Sequence, residues 1–144
     1  MARTGDRDLA STLSVAGFLQ LTKCTRIIKR RAEATTRRFL NLSVREVWVL
    51  LAANCAQPVT QKQIATHVSL NQNLIVQLID KLEQSGHVQR VRNPANRREH
   101  FVRLTRKGTA AAHRLLANRD AYYRIILAPF DDALIHTILG QLYP

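Results

Sequence analysis

Gln72, Asn73, Val76, Gln77, Lys81 and Gln84 fall on one side of a stretch whose other side carries Ile75, Leu78, Ile79 and Leu82 at helical spacing. A carboxamide donates and accepts at once, so Asn and Gln can pair bidentately with the adenine edge in a major groove. A valine methyl can meet the thymine methyl there. An ordinary solvated helix face favours Glu and Lys, and this amide-rich face does not. Lys81, and Gln61 just upstream, suit a phosphate or a base edge. Asn71 stands where a helix cap would turn the helix N-terminus toward phosphate.

A basic segment follows. Arg90, Arg92, Arg97, Arg98, Arg103, Arg106 and Lys107 have only Glu99 among them. The run 93–96 (Asn-Pro-Ala-Asn) favours a turn, which sets Arg97 and Arg98 at or near a hairpin tip. Arginine on a projecting loop fits a narrow minor groove, where the negative potential is enhanced. Arg92 joins the set facing the duplex. Arg90 either does the same or braces the hairpin, and its position decides neither.

Several elements must hold these residues in place. Four helix starts carry a capping residue flanked by an apolar pair: Leu42 and Val47 around Ser43, Val59 and Ile64 around Thr60, Leu70 and Ile75 around Asn71, and Phe130 and Ile135 around Asp131. Glu46 and Gln63 complete capping boxes with Ser43 and Thr60. The pattern predicts helices over about 9–38, 43–54, 60–68, 71–85 and 105–127. Two strands at about 87–92 and 100–104 come between the last two, and a final helix after Pro129 covers 131–142. The first and last helices are apolar on more than one side, with Leu9, Leu13, Val15, Phe18, Leu19 and Leu21 at one end and Leu134, Ile135, Ile138, Leu139 and Leu142 at the other. In so short a chain, such helices need a partner such as a second subunit.

The 144 residues suit one compact domain, and a formal net charge of +12 points to a polyanionic partner. The apolar stretch 9–21 is broken by Ser11, Thr12, Ser14 and Gln20 and falls short of the roughly 20 residues that span a bilayer. Asp6 and Asp8 sit where a signal peptide would be basic, so a cytoplasmic protein with no membrane partner is expected. Cys24 and Cys55 are too few for a metal site or disulfide framework. No paired carboxylates, clustered histidines or nucleophile–base spacing mark an enzyme, and no cofactor or metal is expected.

The segment 78–90, LIDKLEQSGHVQR, together with NPANRR at 93–98 and LTRKG at 104–108, resembles the multiple antibiotic resistance regulator (MarR) family of winged helix-turn-helix transcription factors. The resemblance covers about 42–108. The family usually has Asp where Asn96 stands, which orients a wing arginine, and Leu where His87 stands. The resemblance implies a mainly α fold with a small β-hairpin wing. The whole of 1–144 would form a single domain, its winged helix-turn-helix core at about 42–107 and its dimerisation helices at about 8–38 and 108–143. It also implies a homodimer whose two recognition helices enter successive major grooves of a pseudo-palindromic double-stranded DNA operator, about 34 Å apart. Members are commonly repressors released by a small phenolic or anionic effector held between the dimerisation and DNA-binding lobes.

On this reading the DNA-binding residues are Gln61, Asn71, Gln72, Asn73, Val76, Gln77, Lys81, Arg92, Arg97 and Arg98. The basic run of the first helix is mostly a solvated or phosphate-facing surface, and within it Arg26 and Arg30 are candidates for an anionic effector. Trp48, Tyr122, Tyr123 and His113 are further candidates for such a pocket, though packing is the simpler role for each. A thiol sensor using Cys24 or Cys55 is an alternative, with Cys55 expected to be buried at the end of an apolar helix. A winged-helix interaction or nucleoid-type module without its own operator is another, but it would carry an apolar or acidic recognition face.

Overall fold

The computed structural model describes residues 5–55 and 57–130, and for residues 5–17 and Leu21 only the helical backbone. The element order is α1 (Gly5–Leu40), α2 (Val44–Cys55), β1 (Val59–Thr60), α3 (Gln61–His67), α4 (Gln72–Gln84), β2 (Val88–Arg92), β3 (His100–Leu104), α5 (Arg106–Ala117) and α6 (Arg119–Leu127). The expected helix at 131–142 lies outside the described residues, and with it Asp131 and Ile135 of the fourth capping signal.

The local signals work as their chemistry requires. The Ser43 N–H donates to Glu46 Oε2 at 2.6 Å and the Glu46 N–H to Ser43 Oγ at 3.3 Å, closing the box that starts α2. Thr60 and Gln63 do the same for α3, with bonds of 2.9 and 3.2 Å. Asn71 Oδ1 accepts from the Leu74 N–H at 2.8 Å at the head of α4. The apolar flanks Leu42, Val47, Val59, Ile64 and Ile75 all enter one core with Leu50, Ile79, Leu82, Val88 and Val102, and Leu70 packs against it.

Two departures have clear physical causes. Val59 and Thr60 do not merely precede a helix: they form a short strand that pairs with Val102 and Phe101 of β3. The expected two-stranded hairpin is therefore an antiparallel three-stranded sheet in the order β1-β3-β2. The helix expected over 105–127 is broken at Asn118, whose φ of −108° and ψ of 19° leave helical geometry. There the Asn118 side-chain amide donates to Arg114 O at 2.8 Å, and the same carbonyl takes its backbone N–H. The side chain thus competes for the helix's own acceptor and ends α5. Asn118 O then accepts from the Tyr122 N–H at 2.9 Å, which starts α6.

The helix α1 crosses α6, and Arg31 fixes that crossing by donating to Ile125 O and Ile126 O at 2.6–3.1 Å. Glu33 ties α1 to the head of α2 through the Val44 N–H at 3.0 Å. The sheet, α2, α3 and α4 form one packed body, and α5 leads from it toward α6 and α1.

Candidate nucleic-acid interface

The four buried residues of α4, Ile75, Leu78, Ile79 and Leu82, pack against α2 and α3. With that stripe seated, the opposite face must look outward. Gln72, Asn73, Val76, Gln77, Lys81 and Gln84 are all exposed, Val76 by 40%. An exposed valine among amides leaves a methyl patch in a row of bidentate donors and acceptors, which is what a groove edge rich in A·T pairs presents.

The helix ends at Ser85 with Gly86 in the left-handed region at φ +73°. The Gly86 N–H reaches Glu83 O at 2.9 Å and the His87 N–H reaches Leu82 O at 2.8 Å. The chain thereby turns directly into β2. Arg90 of that strand ion-pairs with both Asp80 and Glu83, and its backbone N–H donates to Glu83 Oε1 at 3.0 Å. The position left open by spacing is thus settled: Arg90 braces the hairpin against α4.

At the tip, Asn93 is nearly buried and organises the loop. Its Oδ1 accepts from the Ala95 N–H at 3.0 Å, and its backbone pairs with Glu99 O and the Asn96 N–H. Asn96 Oδ1 accepts from the Arg98 N–H at 3.1 Å. The acid usual at that position in the MarR family is absent, yet the amide oxygen still shapes the turn. Arg92, Arg97 and Arg98 are exposed, and none of them forms an ion pair with a described residue.

A shallow cleft of about 190 Å³ joins the two halves of this surface, lined by Thr60, Gln61, Lys62, Gln72, Val76, Arg98, Glu99 and His100. Of the residues read from sequence, it gathers Gln61, Gln72, Val76 and Arg98. Asn73, Gln77 and Lys81 continue outward along the exposed face of α4, and Arg92 and Arg97 stand on the wing. Lys62 and His100 were missed. Lys62 follows Gln61 in α3, and pairing of β1 with β3 carries the strand that begins at His100 back to it. Only the strand pairing reveals that they share a cleft.

A second, larger hollow lies between α1, α2, α5 and α6. It is about 400 Å³ and is walled by Ile28, Trp48, Leu51, Leu116, Tyr122 and Tyr123, with Arg119 as its cation. Three of the four aromatic candidates therefore meet there, and His113 does not. Arg26 and Arg30 are exposed on α1 but do not line it, because Ile28 and Ala32 present the inner face of that helix. Arg119 also pairs with Asp120 at 3.4 Å. Burial, with a smaller push from Glu33, raises the Tyr122 hydroxyl to about 12. Tyr122 thus stays a neutral donor at physiological pH.

Cys24 is half-buried, and Cys55 is exposed rather than buried as expected. Cys55 comes seven residues after the half-exposed Trp48, two helical turns along the same outer face, whereas Ala52 and Ala53 hold the inner one. Among the described residues, no group of three or more His, Cys, Asp or Glu is placed to hold a metal ion. None of the described helices is long and apolar enough to cross a membrane.

The profile of the MarR family matches residues 42–100. An HTH-type transcriptional regulator of Bacillus subtilis, YwhA, is 31% identical over 100 residues, 69% of this chain and 70% of its own. Among solved structures, CouR from Rhodococcus jostii bound to p-coumaroyl-CoA superposes with a TM-score of 0.67 at 26% identity, covering 88% of each chain. A mutant MarR from E. coli complexed with operator DNA has the same fold, with a TM-score of 0.69 at 18% identity over 89% of this chain and 96% of that one.

Proposed function

The chain belongs to the MarR family of transcriptional regulators, and from that premise we propose that it is a cytoplasmic homodimeric repressor of a pseudo-palindromic operator, released by a small effector. The observation that carries the reading is the exposed amide face of α4 set beside a wing whose exposed Arg92, Arg97 and Arg98 form no ion pair with a described residue. Asn73, Val76, Gln77 and Gln72 read base edges in the major groove. Gln61 and Lys81 serve phosphate or base edge, and Asn71 caps α4 with its N-terminus toward phosphate. Arg97 and Arg98 enter the minor groove, and Arg92 follows the backbone beside them. Lys62 adds a positive charge to the cleft lining, and His100 an imidazole that can hydrogen-bond a phosphate or base edge.

The effector site is the hollow between the DNA-binding body and the helices α1, α5 and α6. Its apolar walls and its aromatic trio suit a flat ring, Arg119 suits an anionic substituent, and the Tyr122 hydroxyl a hydrogen-bond acceptor. The relative CouR was solved with p-coumaroyl-CoA, a phenolic thioester with an anionic carrier, and that chemistry fits such a lining. Binding there acts on the angle between α5 and the reading body, so it favours one spacing of the two recognition helices over another.

The deciding experiment is fluorescence anisotropy on the gene's own upstream intergenic duplex and on a shuffled control, titrated across salt. Tight binding to the native duplex alone, of order 10⁻⁸ M at physiological salt, supports an autoregulating operator reader. Equal binding to both, collapsing steeply with salt, would mean phosphate recognition only and would sink this proposal for that duplex. With the complex in hand, phenolic acids and thioesters are screened for its release.

A further inference from the structure

We propose that neutral His87 is a positioning residue that holds the recognition helix and wing at a set attitude to α5, and that protonating its ring releases the operator. The proposal rests on the DNA-reading function above and adds to it a proton as a second signal.

His87 occupies the corner where three elements meet: it follows α4, precedes β2 and lies under the head of α5. Its residue surface is only 5% exposed, and its Nδ1 lies 2.8 Å from Ser85 Oγ. The backbone around it is stitched to α5 at several points. His87 O accepts from the Thr105 N–H at 3.0 Å and from the Thr105 hydroxyl at 3.2 Å, and that hydroxyl also reaches Gly86 O at 2.6 Å. Lys107 Nζ donates to Ser85 O at 2.7 Å. Gly108 packs so closely that a Cβ there would stand 2.0 Å from His87 O. Among the described residues these bonds join the end of the reading helix directly to the head of α5, and α5 leads on to α6, which crosses α1.

A neutral imidazole suits this corner and a cation does not. The groups that face the ring are Lys107 from α5, Glu46 from α2 and, from the end of α4, the uncharged Ser85 hydroxyl. Burial and the Lys107 ammonium hold the ring below the ordinary histidine range, and Glu46 offsets this only in part. The sign follows. A base whose folded value is depressed binds fewer protons folded than unfolded, so the closed corner is fully stable above the ordinary value of 6.5 and weakens as pH falls below it. The proton relieves its burial by opening the seam between 85–87 and 105–108. That opening frees α4 and β2 to tilt against α5, and the two recognition helices lose their spacing. A dimer carries two such corners, so operator affinity falls more steeply with acid than a single titration would give.

The test compares wild type, His87→Leu and His87→Gln by anisotropy on one duplex that wild type binds at about pH 7.5. That duplex comes from the upstream intergenic DNA or from selection out of a random pool. Leu is the residue the family usually carries there and Gln keeps a polar partner for Ser85, so at least one variant should fold. Between about pH 7.5 and 5.5, wild-type affinity should fall about three- to tenfold more than that of either variant. The His87 ring should titrate below 6.5 when followed by NMR. Parallel profiles in all three proteins, or a ring titrating at the ordinary value, would overturn the role of His87 while leaving the operator reading intact. A wild-type protein that selects no duplex at about pH 7.5 would overturn the operator reading itself, and this coupling with it.

Discussion

Arg90 of β2 is ion-paired to Asp80 of α4, ten residues earlier in the chain, and with Glu83 beside it the guanidinium is gripped from two sides. The wing therefore does not hang from a flexible corner. It is bonded to α4 itself, so the attitude of β2 is tied to that of the helix.

Replacing Arg90 by Ala should lower stability by about 1–2 kcal/mol, since the two carboxylates are partly solvated and lose a partner rather than becoming buried orphans. Urea denaturation would measure that loss. Operator affinity should fall further than stability accounts for, because the wing arginines lose their register. Unchanged affinity in a folded Arg90→Ala protein would show that the brace does not orient the wing.

The pair Arg97→Ala and Arg98→Ala should leave the fold untouched, since both side chains are exposed and unpaired with any described acid. Binding should weaken severely, and the slope of log affinity against log salt should drop by about 2. Gln77→Ala should cost less affinity but relax base preference, by about 1–3 kcal/mol at the position it reads. Anisotropy with single-base operator variants separates the two effects. Intact affinity in the double variant would overturn the wing assignment.

Gly108→Ala should destabilise by about 1–3 kcal/mol, because the new methyl meets the carbonyl of His87, which belongs to backbone and cannot swing aside. Thermal denaturation reads this directly. A neutral outcome would mean that the head of α5 can lift off the 85–87 corner without penalty, which would also weaken the case for His87 as its fastener.

Tyr122 makes stability fall at high pH. Its folded value, about 12, lies above the ordinary value of 10.0, so between those limits the folded state holds a proton that the unfolded state has released. The contribution is complete below about pH 10 and is lost as pH rises toward about 12. Tyr122→Phe should flatten this alkaline limb, and tyrosinate absorbance of that variant should lose a phenol that titrates toward about 12 in the wild type. Loss in the variant of a phenol that titrates near the ordinary value would refute the burial.

Much of the reading device was legible before the fold was known because its signals are local. Ser43, Thr60 and Asn71 cap helices through bonds that span three residues, and the amide face of α4 follows once Ile75, Leu78, Ile79 and Leu82 are assigned inward. A family pattern of turn and strand residues supplied the rest of the wing. The break at Asn118 escaped detection because a helical apolar pattern runs through it, while the competing bond from its side chain to Arg114 O carries no periodic signal.

What the sequence determined by itself, then, is everything set within a turn or two of chain: where helices begin, which face of α4 is wet, and that arginine crowds the hairpin. Tertiary structure alone decided what depends on contacts distant in sequence. It gave Arg90 to Asp80 and Glu83 and brought Lys62 and His100 into one cleft through the pairing of β1 with β3. It walled a hollow with Trp48, Tyr122 and Arg119 while leaving Arg26 and Arg30 outside, and turned Cys55 to solvent. It also closed α5 over His87. The reason is physical: backbone capping and periodicity are short-range and repeat with chain position, whereas a partner across the fold is chosen by packing of the whole core, which no local spacing encodes.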